Sequence, residues 1–229
     1  MLLLALGPAA AGHAQSTAPA TAGISTPVSN QDAAGGLKAA LEQAGNLAVS
    51  KLGAENGYLN NPRVRIPLPK LLEQARPLLK MTGKGQQLDD LVLQMNRAAE
   101  SAIPLARPLL VNAVKSMSFS DAWAIVRGGD SAATEYLREK TSGQLGQEFL
   151  PIVKKVTDRA GLAAQYNSTM ALAPKLGVQP KEYATVEGYV TQRALDGLYV
   201  MLADEEKAIR ANPVASGSKL ISKVFGALK

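Results

Sequence analysis

From about residue 32 onward the hydrophobic positions recur at steps of three and four, and alternation of period two is confined to Val64, Ile66 and Leu68. Steps of three and four stack apolar side chains on one helix face, whereas period two is the pattern of a half-buried strand. The pattern is clearest in a third run that starts at Leu88, Leu91, Val92 and Met95 and continues through Ala113, Val114 and Met117. Its charged members Asp89, Asp90, Arg97, Glu100, Arg107 and Lys115 lie off that face or along its border. Pro104 and Pro108 each remove a backbone donor, so each predicts a bend within the run.

Capping residues set the other boundaries. Asp32 caps a first helix that reaches about Leu52 and is closed by Gly53. A second starts at Pro69, where proline suits the first turn, and ends at Gly83. A short helix spans Ser120 to Arg127 and stops at Gly128-Gly129, after which Asp130 or Ser131 caps a long amphipathic stretch to about Ala160. A piece from Leu162 to Leu172 follows, then a long helix from about Lys181 to Arg210 ended by Asn212-Pro213. A tail helix is expected over Leu220–Leu228. The expected fold is all-α, a single bundle-like domain of seven or eight helices over residues 32–229, some of them proline-kinked. The pentapeptide Ala-Arg-Pro-Leu-Leu occurs at 75–79 and 106–110, but its flanks differ and it marks no solenoid repeat.

Residues 1–14, MLLLALGPAAAGHA, read as an export signal with Gly12 and Ala14 at the −3 and −1 positions of a cleavage site. No charge precedes Asp32, so the usual positive start is missing and the true start is expected upstream of Met1. A disordered Ala-rich N-terminus in the cytoplasm fits the same residues. Residues 15–31 have the composition of a flexible linker. No cysteine offers a lipid attachment point, and no later run reaches the ~18 uncharged apolar residues of a membrane span. The expected location is the bacterial periplasm.

Composition narrows the chemistry. The only histidine is His13, inside the leader, and there is no cysteine. A mature chain without imidazole or thiol excludes Ser-His-Asp and Cys-His nucleophiles, histidine or thiolate zinc sites, and the Glu-x-x-His pairs of di-iron bundles. No metal and no cofactor is expected. The net charge is +6, carried by scattered residues, and the aromatic side chains are 6 Tyr, 3 Phe and 1 Trp. Neither a basic stripe nor aromatics interleaved with Arg and Lys is visible, so nucleic acid is not an expected partner. The excess positive charge suits anionic lipid head groups or cell-wall polymers as well as it suits a plain solvated surface.

Four places can carry a site. In the segment 57–69, Asn60, Asn61, Arg63 and Arg65 offer polar groups, and three prolines stiffen an extended run. The segment is either a rigid packed connector or the rim of a pocket. The junction Gly128-Gly129-Asp130-Ser131 exposes helix-start amides that can hold an anion, although a helix–helix joint explains the same residues. Glu205 falls on the apolar stripe of Leu195, Leu198, Leu202 and Ile209, where a carboxylate must be paired, protonated or beside a cavity. Asn96, Arg97 and Glu100 sit one turn apart just before the expected bend, and a buried network results if Glu205 faces Arg97.

Several separated pieces resemble a known family. Leu59-Asn60-Asn61-Pro62 with Ile66-Pro67-Leu68-Pro69, Met95-Asn96-Arg97-Ala98-Ala99-Glu100, and Gly128-Gly129-Asp130 with Ala132-Ala133-Thr134 are similar to domain of unknown function family 4197. So are Ala194-Leu195-Asp196-Gly197-Leu198, Glu205-Glu206, and Ile209 through Pro213. The resemblance runs from about Ala33 onward and implies a helical envelope protein with no assigned reaction, so it lends no catalytic residue. The expected function is that of a non-enzymatic envelope protein binding an apolar or amphipathic small molecule such as a lipid. A structural or protein-interaction module is one alternative. A carboxylate-dependent hydrolase of envelope glycans, using Glu205 or Glu100 as general acid, is the other.

Overall fold

The computed structural model describes residues 30–172 and 184–213. Among the described residues it contains eight α-helices and one 3₁₀ turn, with no strand. The helices are α1 (Asn30–Gly53), α2 (Lys70–Met81), α3 (Gly85–Ala102), α4 (Ala106–Ser116), α5 (Phe119–Arg127), α6 (Ala132–Thr157), α7 (Gly161–Leu172) and α8 (Val186–Ala211). The leader and nearly all of the expected linker lie outside the described residues, as does the tail helix at 220–228.

Helix α8 is the hub. It packs on α6, α1 and α3, while α6 also packs on α3 and α1 carries α4 and α5. The reason is written along α8: Val186, Tyr189, Val190, Ala194, Leu195, Leu198, Tyr199, Met201 and Leu202 are all buried. They cover most of its circumference, which only a helix surrounded by others can satisfy. The core is one continuous cluster that includes Leu52 of α1, Met95 of α3, Phe149 of α6 and Ile66 of the connecting segment. Among the described residues no helix is long and apolar enough to cross a membrane.

Three expected boundaries shift. Helix α1 is already under way at Asn30, the first described residue, so Asp32 lies inside it rather than ahead of it as a cap. The long third run bends once and not twice. Pro104 sits in the 3₁₀ turn Ile103–Leu105 that separates α3 from α4. Pro108 falls in the first turn of α4, where the amide it lacks has no intrahelical partner to lose. The last helix starts at Val186, capped by the Thr185 hydroxyl, which accepts from the Gly188 amide at 3.1 Å. Helix α5 is opened by a capping box. Ser118 accepts from the Asp121 amide at 3.1 Å, and Asp121 accepts from the Ser118 amide at 3.0 Å. The Ser118 hydroxyl, which also stands 2.7 Å from the Asp121 carboxylate and can donate to it, and then the Ser118 amide hold that carboxyl below its ordinary range.

Candidate functional site

The segment between α1 and α2 is where chain geometry departs most from plain helix. Asn56 has φ +67°, the left-handed region, and the chain then turns at Gly57, where a Cβ would lie 2.4 Å from the Lys51 carbonyl oxygen. Asn61 accepts from the Arg63 amide through its side chain at 3.1 Å and from the Arg65 amide through its carbonyl at 2.8 Å. Beyond it Val64, Ile66 and Leu68 are buried while Arg63, Arg65 and Pro67 face solvent. The alternation read from the sequence is therefore present. It has no strand beside it.

The place of a neighbouring strand is taken by one side chain. Asn96 of α3 is fully buried, and its Oδ1 accepts from the Ile66 amide at 2.9 Å. Its Nδ2 donates to the Ile66 carbonyl at 2.9 Å and to the Val92 carbonyl at 2.8 Å. A carboxamide presents a donor and an acceptor side by side, so it satisfies both polar groups of one extended residue.

One turn later Glu100 performs the matching task at the other end. Its Oε1 accepts from the Tyr58 and Leu59 amides at 3.0 and 3.1 Å, and its Oε2 from Arg97 Nη1 at 2.6 Å. Arg97 Nη2 reaches Glu55 and the Asn56 side chain, both at 3.0 Å. Arg97, partly exposed, and buried Glu100 thus form one polar network with residues 55–59, while Asn96 separately holds Ile66. The partner of both is this segment rather than α8. Both oxygens of Glu100 accept from amide or guanidinium donors that favour the ionised carboxylate, the opposite of what a general acid needs. Beside the network Gly53, Glu55, Arg97, Glu100 and Ser101 line a shallow open hollow of about 260 Å³.

Tyr58 completes the clamp. Its ring is fully buried, its hydroxyl donates to the Ala194 carbonyl at 2.6 Å, and its edge lies where Gly197 of α8 has no side chain. A Cβ at Gly197 would stand 2.6 Å from Tyr58 Cε1. Burial, with the negative charges of Asp196 and Glu100, pushes the phenol well above its ordinary value of 10.0. The unfolded chain therefore loses this proton first. The resulting stability is intact below about pH 10 and falls as pH rises beyond it, by up to about 1.4 kcal/mol per pH unit. Urea melts between pH 8 and 11 should show that fall, and Tyr58→Phe should flatten it. An unchanged slope in Tyr58→Phe would place the alkaline sensitivity elsewhere.

Glu205 does not face Arg97. It pairs with Lys51 of α1 at 2.6 Å, its side chain 13% exposed and that of Lys51 50% exposed. The buried carboxylate is its neighbour Glu206, 5% exposed. At about 100° per residue, Glu205 and Glu206 lie about 50° to either side of the Leu195–Leu198–Leu202–Ile209 stripe. On one side stands Lys51, and on the other the start of α6. Glu206 accepts from the Ala133 and Thr134 amides at 3.1 and 2.9 Å, from the Thr134 hydroxyl at 2.8 Å, and from Arg210 at 2.9 Å. The helix-start amides just after the Gly128–Ser131 junction are thus occupied by the protein's own Glu206, which makes the junction a helix–helix joint. Ser131 does not cap α6 with its side chain, because its hydroxyl donates to Glu135 instead.

The polar side chains of the segment divide. Asn60 is exposed, and Asn61 turns its Nδ2 toward the Met201 sulfur at 3.8 Å. Arg63 and Arg65 border a groove of about 300 Å³ between the segment and α8, lined also by Val64, Pro67, Arg193, Asp196, Gly197 and Val200. Arg63 pairs with Asp204. Arg193 lies over the Tyr189 ring at 5.3 Å and 3.9 Å from Asp196. Arg65 has no carboxylate partner among the described residues. Nearby, Arg138 of α6 lies over Tyr199 at 4.5 Å and within 3.8 Å of Asp196. Sequence reading missed Arg193, Asp196, Tyr58 and Glu206. Gly197 carried a signal, since a glycine inside a long helix costs about 1 kcal/mol and calls for a packing reason.

A crevice between α1 and α8 offers less room than the groove. It is lined by Leu37, Ala40, Leu41, Ala44, Glu206 and Ile209 and has a volume of about 10 Å³, enough for one water at most. Among the described residues no group of three His, Asp or Glu side chains gathers as a metal site.

Nothing among the curated proteins or the solved structures matches this chain. A family model described as "Protein of unknown function (DUF4197)" matches residues 27–226, which takes in α1 through α8, the clamp and the groove. The chain belongs to the DUF4197 family.

Proposed function

We propose that this protein is a non-catalytic binding protein of the bacterial envelope, exported to the periplasm by its apolar N-terminus, and that its groove holds an anionic amphipathic small molecule. The observation that carries this reading is the chemistry of the groove wall. Val64, Pro67 and Val200 supply apolar surface, and the wall carries three guanidinium groups. Arg63 is paired with Asp204 and Arg193 lies 3.9 Å from Asp196 of the same wall, so that Arg65 is the one without a carboxylate partner among the described residues. Guanidinium forks match carboxylate and phosphate oxygens, and a nearby apolar floor takes the chain of such a ligand. The volume, about 300 Å³, is at the small end of ligand sites. The crevice between α1 and α8, at about 10 Å³, has no space for a lipid chain, and the ligand is read as held in the groove.

Rigidity favours the same reading. Arg63 and Arg65 stand on a segment whose backbone is fixed by Asn96, and Arg193 stands on the central helix. Cations held in place lose less freedom on binding than cations on a mobile loop. Dodecyl phosphate and laurate, with dodecyl maltoside as the uncharged comparison, test the proposal by calorimetric titration. Saturable binding of the two anions is expected, and Arg65→Glu should weaken it about tenfold or more with an unchanged melting temperature, because Arg65 is exposed. Equal binding of the uncharged detergent, or an Arg65→Glu variant that binds as wild type does, would sink it.

A further inference from the structure

Asp196 in the groove wall is approached by two guanidinium groups from different helices. Arg193 of α8 comes within 3.9 Å of its Oδ2, and Arg138 of α6 within 3.8 Å of its Oδ1. Both separations exceed hydrogen-bond reach, and the bond that Asp196 does accept comes from Gln192 Nε2 at 3.0 Å. Asp196 therefore balances part of their charge without taking up their N–H donors. Each guanidinium is steadied by a ring instead, Arg193 over Tyr189 at 5.3 Å and Arg138 over Tyr199 at 4.5 Å. Arg63, paired with Asp204, and Arg65 complete the set. In and beside the groove, four guanidinium groups stand against the two carboxylates Asp196 and Asp204, an excess of two positive charges.

We propose, on the reading of the groove as an anion site, that it selects a dianion, the phosphate monoester head of an alkyl chain, and that Arg138 is the positioning residue behind this preference. A carboxylate or sulfate head carries one negative charge and leaves one of the two excess charges unmatched. A phosphate monoester above its second pKa of about 6 carries nearly two, spread over three acceptor oxygens. Arg65 and Arg193, both lining the groove, present guanidinium forks to those oxygens. Arg138 acts one step back. It shares Asp196 with Arg193, so the carboxylate is not balanced by Arg193 alone. Without Arg138, Asp196 draws on Arg193, the cation that the ligand needs.

Calorimetric titration of the full chain at pH 8 and about 0.1 M salt, with octyl phosphate, octyl sulfate and octanoate, tests this. Sulfate has the oxygens of phosphate and about one charge fewer, so that pair separates charge from shape. Octyl phosphate should bind about tenfold or more tighter than either monoanion. Arg138→Gln should cut its lead over octyl sulfate to about threefold or less, while Arg138→Lys, which keeps the charge, should preserve it. Both variants should retain the wild-type melting temperature, because the Arg138 side chain is 46% exposed. Asp196→Asn, which keeps an acceptor for Gln192, should tighten octyl phosphate binding. Equal affinity for octyl phosphate and octyl sulfate, or a wild-type ratio in Arg138→Gln, overturns the dianion preference and leaves the anion site standing. Binding of none of the three overturns the anion site with it. Inorganic phosphate binding as tightly as octyl phosphate would overturn the alkyl ester as the ligand.

Discussion

Glu206→Ala should destabilise the protein by about 3–5 kcal/mol, while Glu205→Ala, one residue earlier, should cost under about 1 kcal/mol. The difference lies in what each carboxylate leaves behind. Without Glu206 the Ala133 and Thr134 amides at the start of α6 lose their acceptor, and so does the Thr134 hydroxyl. These are orphan donors at the positive end of a 26-residue helix, where a carboxylate is worth most. Arg210, only 13% exposed, would lose its counter-charge while its bond to the Ile125 carbonyl at 2.9 Å remains. Glu205 by contrast releases a half-exposed lysine into water. Glu206→Gln separates shape from charge. It keeps one acceptor oxygen but turns an amide NH₂ toward other donors, and should fall between the two alanine variants. Urea melts of the three variants check the order, and a Glu205→Ala cost equal to that of Glu206→Ala would mean that the wrong carboxylate has been taken as buried.

This pair also shows where sequence reading stops. Helical periodicity places α8 and its buried stripe correctly because the hydrophobic pattern is a local property of the chain. The same periodicity sets Glu205 on that stripe, which is wrong: Glu205 and Glu206 flank it symmetrically at about 50° each, so periodicity cannot choose between them. The choice is made by α1 on one side and α6 on the other, more than 70 residues away in each case. The groove was hidden for the same reason. Arg63 and Arg65 were legible as polar positions on a stiff run, but Arg193 joins them only through the packing of α8 against the segment. Basic residues that look scattered along the chain become a cluster in space. Conversely, the bend at Pro104 was legible because proline acts on its own backbone, whereas Pro108 misled because its effect depends on where the next helix begins.

Asn96→Ala should cost about 2–4 kcal/mol, because it leaves the Ile66 amide and carbonyl without partners inside the core. The Val92 carbonyl, within α3, loses only a second bond. Asn96→Asp tests the geometry more finely, since it keeps an acceptor for the Ile66 amide but sets a carboxylate against the Ile66 carbonyl. It should therefore destabilise about as much as alanine at neutral pH and recover part of the loss in acid, where a protonated Asp can donate. The consequence reaches the groove. Ile66 lies directly after Arg65, so a segment released from Asn96 no longer holds Arg63 and Arg65 in fixed positions beside α8. Dodecyl phosphate binding by Asn96→Ala should weaken at temperatures well below its melting point, in parallel with faster amide exchange at Ile66. Retained exchange protection at Ile66 would show that the buried side chains Val64, Ile66 and Leu68 hold the segment by packing alone, and that the Asn96 clamp is dispensable.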